Sequence, residues 1–282
     1  MIDALKVGNI DYSECRYGAS RLSFRGPAVS LERPYIAVIG GNETFGRFVR
    51  RPYPALLAEL LDYPVVNLGC MNAGLTAFLE DAVVRGVASR AALTVVQILG
   101  AENMSNRYYM VHPRRNDRFL KASKRMTDAF PAVDFTEFHY TRHMLHALEG
   151  AHPEAYQALL KELKVSWENR MHAFLQAIQS PVLLLWMSER AEDETGPRVS
   201  ATPPLYIEGR QVARVAPDAL ATVAVRPGPE EVKKLELMTY SDTDSDAARV
   251  LPGPAFHSRA ASALEEAIRP ILGLKKEKRR VG

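Results

Sequence analysis

The stretch Tyr35-Ile-Ala-Val-Ile-Gly-Gly-Asn-Glu-Thr-Phe-Gly46 places a short apolar run directly before a glycine-rich turn. Its first five residues are β-branched or aromatic except for one alanine, a composition typical of a buried strand. The pair Gly40-Gly41 allows a tight strand-to-helix turn that lifts one side chain above the edge of the sheet. The side chain at that place is Asn42. The stretch therefore predicts an α/β fold with a candidate site at this turn.

Further apolar runs of strand length follow along the chain, separated by amphipathic segments. We predict strands over 64–67, 93–99, 181–187 and 221–225. We predict helices over 53–61, 74–85, 155–178 and 255–272. Continuous rather than alternating apolar strands are typical of a parallel sheet that is covered on both faces. The pattern predicts a three-layer α/β sandwich with a parallel, flavodoxin-like sheet.

Length and composition fit a single domain over residues 1–282. The chain is 47% hydrophobic and 24% charged, and 282 residues bury enough surface to need no disulfide or metal for stability. The two cysteines, Cys15 and Cys70, lie far apart, which favours reduced thiols in a cytoplasmic protein. The sequence does not open on a secretory signal, and no apolar run approaches the roughly 20 residues of a membrane span.

The mildly basic charge balance does not by itself imply nucleic acid as a partner. The net charge is +3, and much of the excess lies in residues 274–282, which we expect to form a flexible basic tail. We expect no nucleic-acid partner, no membrane span and no cofactor. The sequence leaves open whether the chain forms a homo-oligomer.

Two polar segments interrupt the alternation of strands and helices. Residues 103–150 form a long insertion, rich in Arg, His and aromatic residues, that we expect to act as a mostly helical lid. Residues 188–204 are polar, contain Pro and Gly, and predict a mobile loop. Because both segments follow strands, both should lie at the carboxyl edge of the sheet, where such folds bind ligands.

The turn after the first strand resembles block one of the SGNH (GDSL-type) hydrolases. That block is a strand followed by Gly-Asp-Ser-x-(Ser/Thr)-x-Gly, and Gly40, Thr44 and Gly46 match it. Gly41 replaces the aspartate, and Asn42 replaces the serine nucleophile of the family. An amide is not a nucleophile, so the acyl-enzyme route of the family is closed to Asn42.

The later blocks follow in the order of the family. Val65-Val-Asn-Leu-Gly69 resembles the second block, whose glycine N–H helps to form the oxyanion hole, with Gly69 and Gly74 both open as donors. Gly100-Ala-Glu-Asn103 resembles the third block, shifted by one residue, which assigns the second oxyanion donor to Asn103, with Asn106 as a substitute. His257, near the start of the last predicted helix, stands where the family has its general base, although Pro254 replaces the orienting aspartate.

This resemblance implies an SGNH-like acyl esterase or acyltransferase that acts on a carbohydrate or lipid ester. Its expected partner is therefore a small-molecule or glycan ester. In an intact member a serine at position 42 would attack, His257 would take its proton, and Gly74 and Asn103 would hold the oxyanion. Asn42→Ser would then add esterase activity that His257→Ala removes. The alternatives are a non-catalytic ligand- or glycan-binding protein on the same fold, and a phosphate- or sulfate-handling transferase. The start Cys15 to Arg21 also resembles bacterial proteins of unknown function, which implies no activity.

A basic and aromatic cluster lies in the insertion. Its arginines could receive an anionic group or form structural salt bridges. His139, His143 and His146 form a stripe that could bind a metal or be an ordinary polar face, and we expect no metal. The predicted substrate-binding residues are Gly41, Thr44, Gly69, Asn106, Arg107, Arg114 and Arg115.

Overall fold

The computed structural model describes residues 10–275 and has a five-stranded parallel sheet at its centre. The strand order is β2-β1-β3-β6-β7, and every neighbouring pair is parallel. The predicted parallel sheet and its five strands are confirmed. The strands are β1 (Ile36–Gly40), β2 (Val65–Gly69), β3 (Leu93–Gln97), β6 (Val182–Met187) and β7 (Ala221–Val225). Strands β4 (Tyr109–Val111) and β5 (Phe119–Ala122) lie outside this sheet.

Helices cover both faces of the sheet, which explains why the central strands are apolar throughout. Every residue of β1, β3 and β6 is buried. On one face the core packs against α2 (Tyr53–Leu61) and α12 (Pro254–Leu272). On the other face it packs against α3 (Leu75–Glu80), α4 (Ala82–Arg90) and α7 (Pro153–Gln176). This is the three-layer sandwich that the sequence predicts.

The segment predicted as a helix over 74–85 is two helices, α3 and α4. They meet at Asp81, whose carboxylate accepts hydrogen bonds from the N–H groups of Val83 and Val84. A side chain that caps free N–H groups in this way starts a new helix, so the apolar periodicity alone gave the wrong boundary.

The insertion 103–150 contains strands as well as helices. Antiparallel strands β4 (Tyr109–Val111) and β5 (Phe119–Ala122) precede α5 (Lys124–Ala129) and α6 (Thr141–Ala151). Its position after β3 agrees with the expectation that it lies at the carboxyl edge of the sheet. Its role as a lid stays a prediction.

The segment after β6 is held by a buried arginine. The Arg190 guanidinium donates hydrogen bonds to the carbonyl groups of Thr202, Pro204 and Ile207. These bonds join the beginning of the segment 188–207 to its end. The shorter helices after β6 are α8 (Arg198–Ala201), α9 (Gly209–Val215), α10 (Lys234–Leu237) and α11 (Ser245–Val250). Another short helix, α1 (Asn42–Phe45), follows β1.

Residues 276–282 of the predicted basic tail, and residues 1–9, lie outside the described residues. No helix within residues 10–275 is long and apolar enough to cross a membrane.

Candidate functional site

A cavity of about 210 Å³ opens at the carboxyl edge of the sheet. Loops that follow β1, β2, β3 and β6 line it, together with the start of α6 and the end of α11. Its volume suits a ligand smaller than a drug-sized molecule. Its polar lining residues are Asn42, Glu43, Asn72, Gln97, Glu102, Asn103, Asp117, Tyr140, Thr141 and Arg142.

Asn42 lies in this cavity, as the sequence predicts, and pairs with a second carboxamide. Its Oδ1 accepts a hydrogen bond from the N–H of Asn72 at 3.1 Å, and its Nδ2 donates to Oδ1 of Asn72 at 3.3 Å. Asn72 has a φ of 57°, in the left-handed region that asparagine tolerates better than most residues. The pair joins the turn after β1 to the loop after β2.

Gln97, the last residue of β3, fixes the turn that carries Asn42. Its Oε1 accepts hydrogen bonds from the N–H of Gly41 at 3.1 Å and from the hydroxyl of Thr44 at 2.6 Å. Its Nε2 donates to Oε2 of Glu43 at 2.9 Å. The sequence analysis missed Gln97, because a polar residue at the end of an apolar strand gives no sign of which turn it will meet.

Two predicted substrate-binding residues in this region have structural roles. Thr44 is fully buried and bonds Gln97 and the Tyr53 hydroxyl, so it does not line the cavity. Gly69 donates its N–H to Oδ1 of Asn67 at 2.7 Å, and a Cβ there would lie 2.3 Å from the backbone nitrogen of Phe45. Glycine is required at position 69 by this close approach.

Glu102, which the sequence analysis also missed, brings a buried carboxyl group into the cavity. Its Oε1 accepts a hydrogen bond from Nδ2 of Asn103 at 3.3 Å, whereas its buried Oε2 has no partner among the described residues. Burial raises the pKa of Glu102 to about 7, against the lowering effect of Arg142, and the charge of Glu43 raises it further. The group is therefore close to half-protonated at neutral pH.

A signal for Glu102 was present in the sequence. Counted from Gly100 without a shift, Glu102 stands where the third block of the SGNH family has its asparagine. Asp117 supplies a second carboxyl to the cavity, and its buried Oδ1 likewise has no partner in the part of the chain that the structure describes. Burial raises the pKa of Asp117, against the lowering effect of Arg115 and Arg118.

The two residues assigned as oxyanion donors line the cavity but are already engaged. The N–H of Gly74 donates to Oδ1 of the buried Asn116 at 2.8 Å. Asn103 donates to Glu102, and its Oδ1 accepts from the Thr141 hydroxyl at 2.7 Å. Asn106, the substitute, caps its own loop by accepting from the next N–H groups and does not line the cavity.

His257 does not line the cavity that holds Asn42. His257 is fully buried, its Nδ1 accepts a hydrogen bond from the N–H of Tyr53 at 3.1 Å, and its ring stacks on that of Tyr53 at 5.9 Å. Burial, with a smaller effect of Arg25, lowers the pKa of His257 to about 3. It is a neutral packing residue within α12, which corrects its assignment as the general base. The residues that reach the cavity from just before α12 are the apolar Val250 and Leu251.

The predicted arginine cluster does not line this cavity. Arg107 forms an ion pair with Glu162 at 2.7 Å on the outside of the protein. Arg114 and Arg115 lie on a neighbouring cavity. The arginine that does line the cavity is Arg142, from α6, which is not among the residues predicted from the sequence.

The histidine stripe shows no ligand set for a metal. No group of three or more His, Cys, Asp or Glu side chains within residues 10–275 is arranged to hold a metal ion. His143 packs edge-on against the ring of Phe138 at 5.2 Å, and His146 faces Glu149 at 3.9 Å.

Comparison of the sequence with protein families gives one match that covers nearly the whole chain. The model of a domain of unknown function, DUF6473, matches residues 1–272. The chain belongs to the DUF6473 family. No curated protein matches its sequence significantly.

Solved structures with a similar arrangement of elements include three enzymes. A lipase from a goat rumen metagenome has a TM-score of 0.44 and 13% identity to this DUF6473 protein, over 83% of this chain and 97% of the lipase. The salicylyl-acyltransferase SsfX3 of a tetracycline biosynthetic pathway has a TM-score of 0.45 and 15% identity, over 92% and 61%. The acetylxylan esterase Axe2 from Geobacillus stearothermophilus, in a catalytic mutant, has a TM-score of 0.41 and 15% identity, over 88% and 97%. The activities in these names belong to those proteins.

Proposed function

We propose that this DUF6473 protein binds a small polar molecule, such as a carbohydrate or its acyl ester, in the cavity beside Asn42, and that it is not a serine esterase. The observation that carries the proposal is that carboxamide and carboxyl groups line the cavity, with Asn42 in place of the serine nucleophile and with no histidine in the lining. Asn42 is paired with Asn72, and Glu102 presents a buried oxygen without a partner among the described residues.

The chemistry of ester hydrolysis argues against turnover at this site. Acyl transfer needs a nucleophile, a base that activates it, and donors for the oxyanion. Asn42 supplies no hydroxyl, His257 is buried away from the cavity, and the N–H of Gly74 is bonded to Asn116. Burial raises the pKa of the nearby thiol of Cys70 to about 11, so this group stays uncharged. An acyltransferase would need the same set.

A ligand with hydrogen-bond donors fits the lining of the cavity. A buried acceptor that lacks a donor costs about 1–3 kcal/mol, and a ligand hydroxyl or amine that bonds Oε2 of Glu102 would recover part of this cost. Carboxamide groups such as those of Asn42 and Asn72 offer both donors and acceptors, as polyhydroxyl compounds require. This combination of groups supports a carbohydrate as the class of ligand.

Esterase assays on serine and alanine variants test the absence of turnover. We expect the wild type, Asn42→Ser and Asn42→Ala to hydrolyse p-nitrophenyl acetate equally slowly, because His257, the base that the SGNH resemblance assigns, does not line the cavity that would hold a serine at position 42. The matched alanine variant separates a true gain from background hydrolysis. A gain of about 10²-fold or more in Asn42→Ser, lost on adding His257→Ala, would restore the esterase mechanism.

Binding measurements test the positive part of the proposal. Titration calorimetry with a panel of monosaccharides, disaccharides and their acetyl esters should give saturable binding that Glu102→Ala weakens about tenfold or more. Glu149→Ala, which removes an exposed carboxylate from α6 outside the cavity, serves as the control and should bind as the wild type does. Binding that Glu102→Ala and Asn42→Ala both leave unchanged would refute the site.

A further inference from the structure

A second cavity, of about 450 Å³, lies beside the first and has a basic wall. Arg21, Arg114 and Arg115 line it, and none of these exposed arginines forms an ion pair with another residue in the range 10–275. Its one acidic lining residue, Glu14, accepts a hydrogen bond from the Ser23 hydroxyl at 2.6 Å. The lining of this cavity therefore carries three guanidinium groups and one carboxylate.

We propose that this second cavity binds an anionic group of the phosphate or sulfate kind. Guanidinium groups present paired N–H donors that match the oxygens of phosphate and sulfate, and they form the stronger, charge-assisted type of hydrogen bond. Three cationic side chains on the lining of one cavity attract an anion, most strongly where screening by salt is weak. The proposal stands on this cavity alone and does not depend on the function proposed for the cavity beside Asn42.

The loop that carries two of the arginines is held in place by its own hydrogen bonds. Nδ1 of His112 accepts from the N–H groups of Arg114 at 3.3 Å and Arg115 at 3.1 Å. Asn116, only 1% exposed, donates to the carbonyl of His112 at 2.8 Å and accepts from the N–H of Gly74 at 2.8 Å. Because the backbone is fixed beforehand, less order has to be imposed when an anion binds.

Asn116 also connects this loop to the first cavity. Gly74, its partner, lines the cavity beside Asn42, and Asn72 lines both cavities. An anionic group in the second cavity would thus lie next to the Asn42–Asn72 pair. The source of the anion is either a free ion or the phosphate or sulfate group of a larger polar ligand.

The first experiment uses the full chain with inorganic phosphate and sulfate at low ionic strength, where screening is weak. Titration calorimetry should detect saturable binding to the wild type and a loss of about tenfold or more in affinity for Arg114→Ala/Arg115→Ala. The control is Arg50→Ala/Arg226→Ala, which removes two exposed arginines that line neither cavity and should bind as the wild type does. Circular dichroism checks that each variant folds.

Absence of phosphate and sulfate binding to the wild type at millimolar concentration would overturn the proposal. An equal loss of affinity in both double variants would overturn it as well, because the effect would then come from net charge and not from the cavity.

A second arm distinguishes the two sources of the anion. Glucose 6-phosphate is compared with inorganic phosphate in the wild type and in Glu102→Gln. Tighter binding of the sugar phosphate that Glu102→Gln reduces to the level of phosphate supports a ligand that occupies both cavities. Equal affinities, unchanged in Glu102→Gln, support a site for the free ion. In that case the anion site stands even where the proposed function of the first cavity fails.

Discussion

The substitution Glu102→Gln should change how the stability of this protein depends on pH. The pKa of Glu102 is raised from 4.5 to about 7 in the folded state, mainly by burial. Below pH 4.5 the carboxyl is protonated in both states, so its ionisation does not favour either. As the pH rises from 4.5 towards 7, the unfolded state loses its proton first, and the free energy of unfolding falls. Glutamine has the same shape and cannot ionise, so this loss disappears.

The size of the effect follows from the two pKa values. Because the pKa of Glu102 is about 7 in the folded state and 4.5 in the unfolded state, its ionisation lowers the free energy of unfolding by about 3 kcal/mol at pH 8 and by about 1 kcal/mol at pH 5. The conversion is about 1.36 kcal/mol for each pKa unit. We therefore expect the free energy of unfolding of Glu102→Gln to gain about 2–3 kcal/mol over that of the wild type when the pH is raised from 5 to 8. For a chain of 282 residues this corresponds to about 4 °C in Tm.

Thermal and urea unfolding of both proteins at pH 5 and pH 8 measure the effect. The control is Glu162→Gln, the same substitution at a carboxylate paired with Arg107. Burial raises the pKa of Glu162, but hydrogen bonds from Arg107 and Ser166 lower it more in sum, so this group stays charged from pH 5 to pH 8. Glu162→Gln should then destabilise the fold by a similar amount at both pH values. If the difference between Glu102→Gln and the wild type is also the same at both, Glu102 is not the buried, unpartnered acceptor that the site requires.

Two further predictions concern residues that hold the fold around the site. His257 has a pKa of about 3 in the folded state against 6.5 in the unfolded state, so the unfolded state takes up a proton first and stability falls as the pH decreases from 6.5 towards 3. His257→Asn, which keeps an acceptor for the N–H of Tyr53, should reduce this acid sensitivity in urea unfolding at pH 4 and pH 7, and an equal loss in both proteins would contradict the buried, neutral histidine. Asn116→Ala should lower the free energy of unfolding by about 1–3 kcal/mol, because the N–H of Gly74 loses its acceptor in a buried place; an unchanged urea midpoint would contradict that role.

The sheet could be predicted because its signal is local. A strand covered on both faces must be apolar along its whole length, so β1, β3 and β6 were visible as short continuous runs. The glycine turn was visible for the same reason, since its two glycines are adjacent in the sequence, but the cause of glycine at position 40 is the close approach of the Thr44 and Gln97 side chains, which a Cβ would meet. The SGNH resemblance depended on this stretch and on the order of the later blocks.

The chemistry of the cavity depends on contacts between residues far apart in the chain. Gln97 meets Gly41 and Thr44 only because β1 and β3 are neighbours in the sheet, and Asn42 meets Asn72 only because β1 and β2 are. Neither contact follows from spacing in the sequence. The raised pKa of Glu102 is likewise a property of the enclosure around it and not of its neighbours in sequence.

For His257, the sequence determined its position in a helix, and the tertiary structure decided the direction of its side chain. The sequence determined that a helix begins near Pro254 and that a histidine lies in its first turn. Each residue along a helix turns the side-chain direction by about 100°, so the direction of one residue depends on how the helix is rotated against its neighbours. Packing of α12 on α2 fixes that rotation and buries His257 against Tyr53. Leu251 and Glu102 line the cavity beside Asn42 instead of His257.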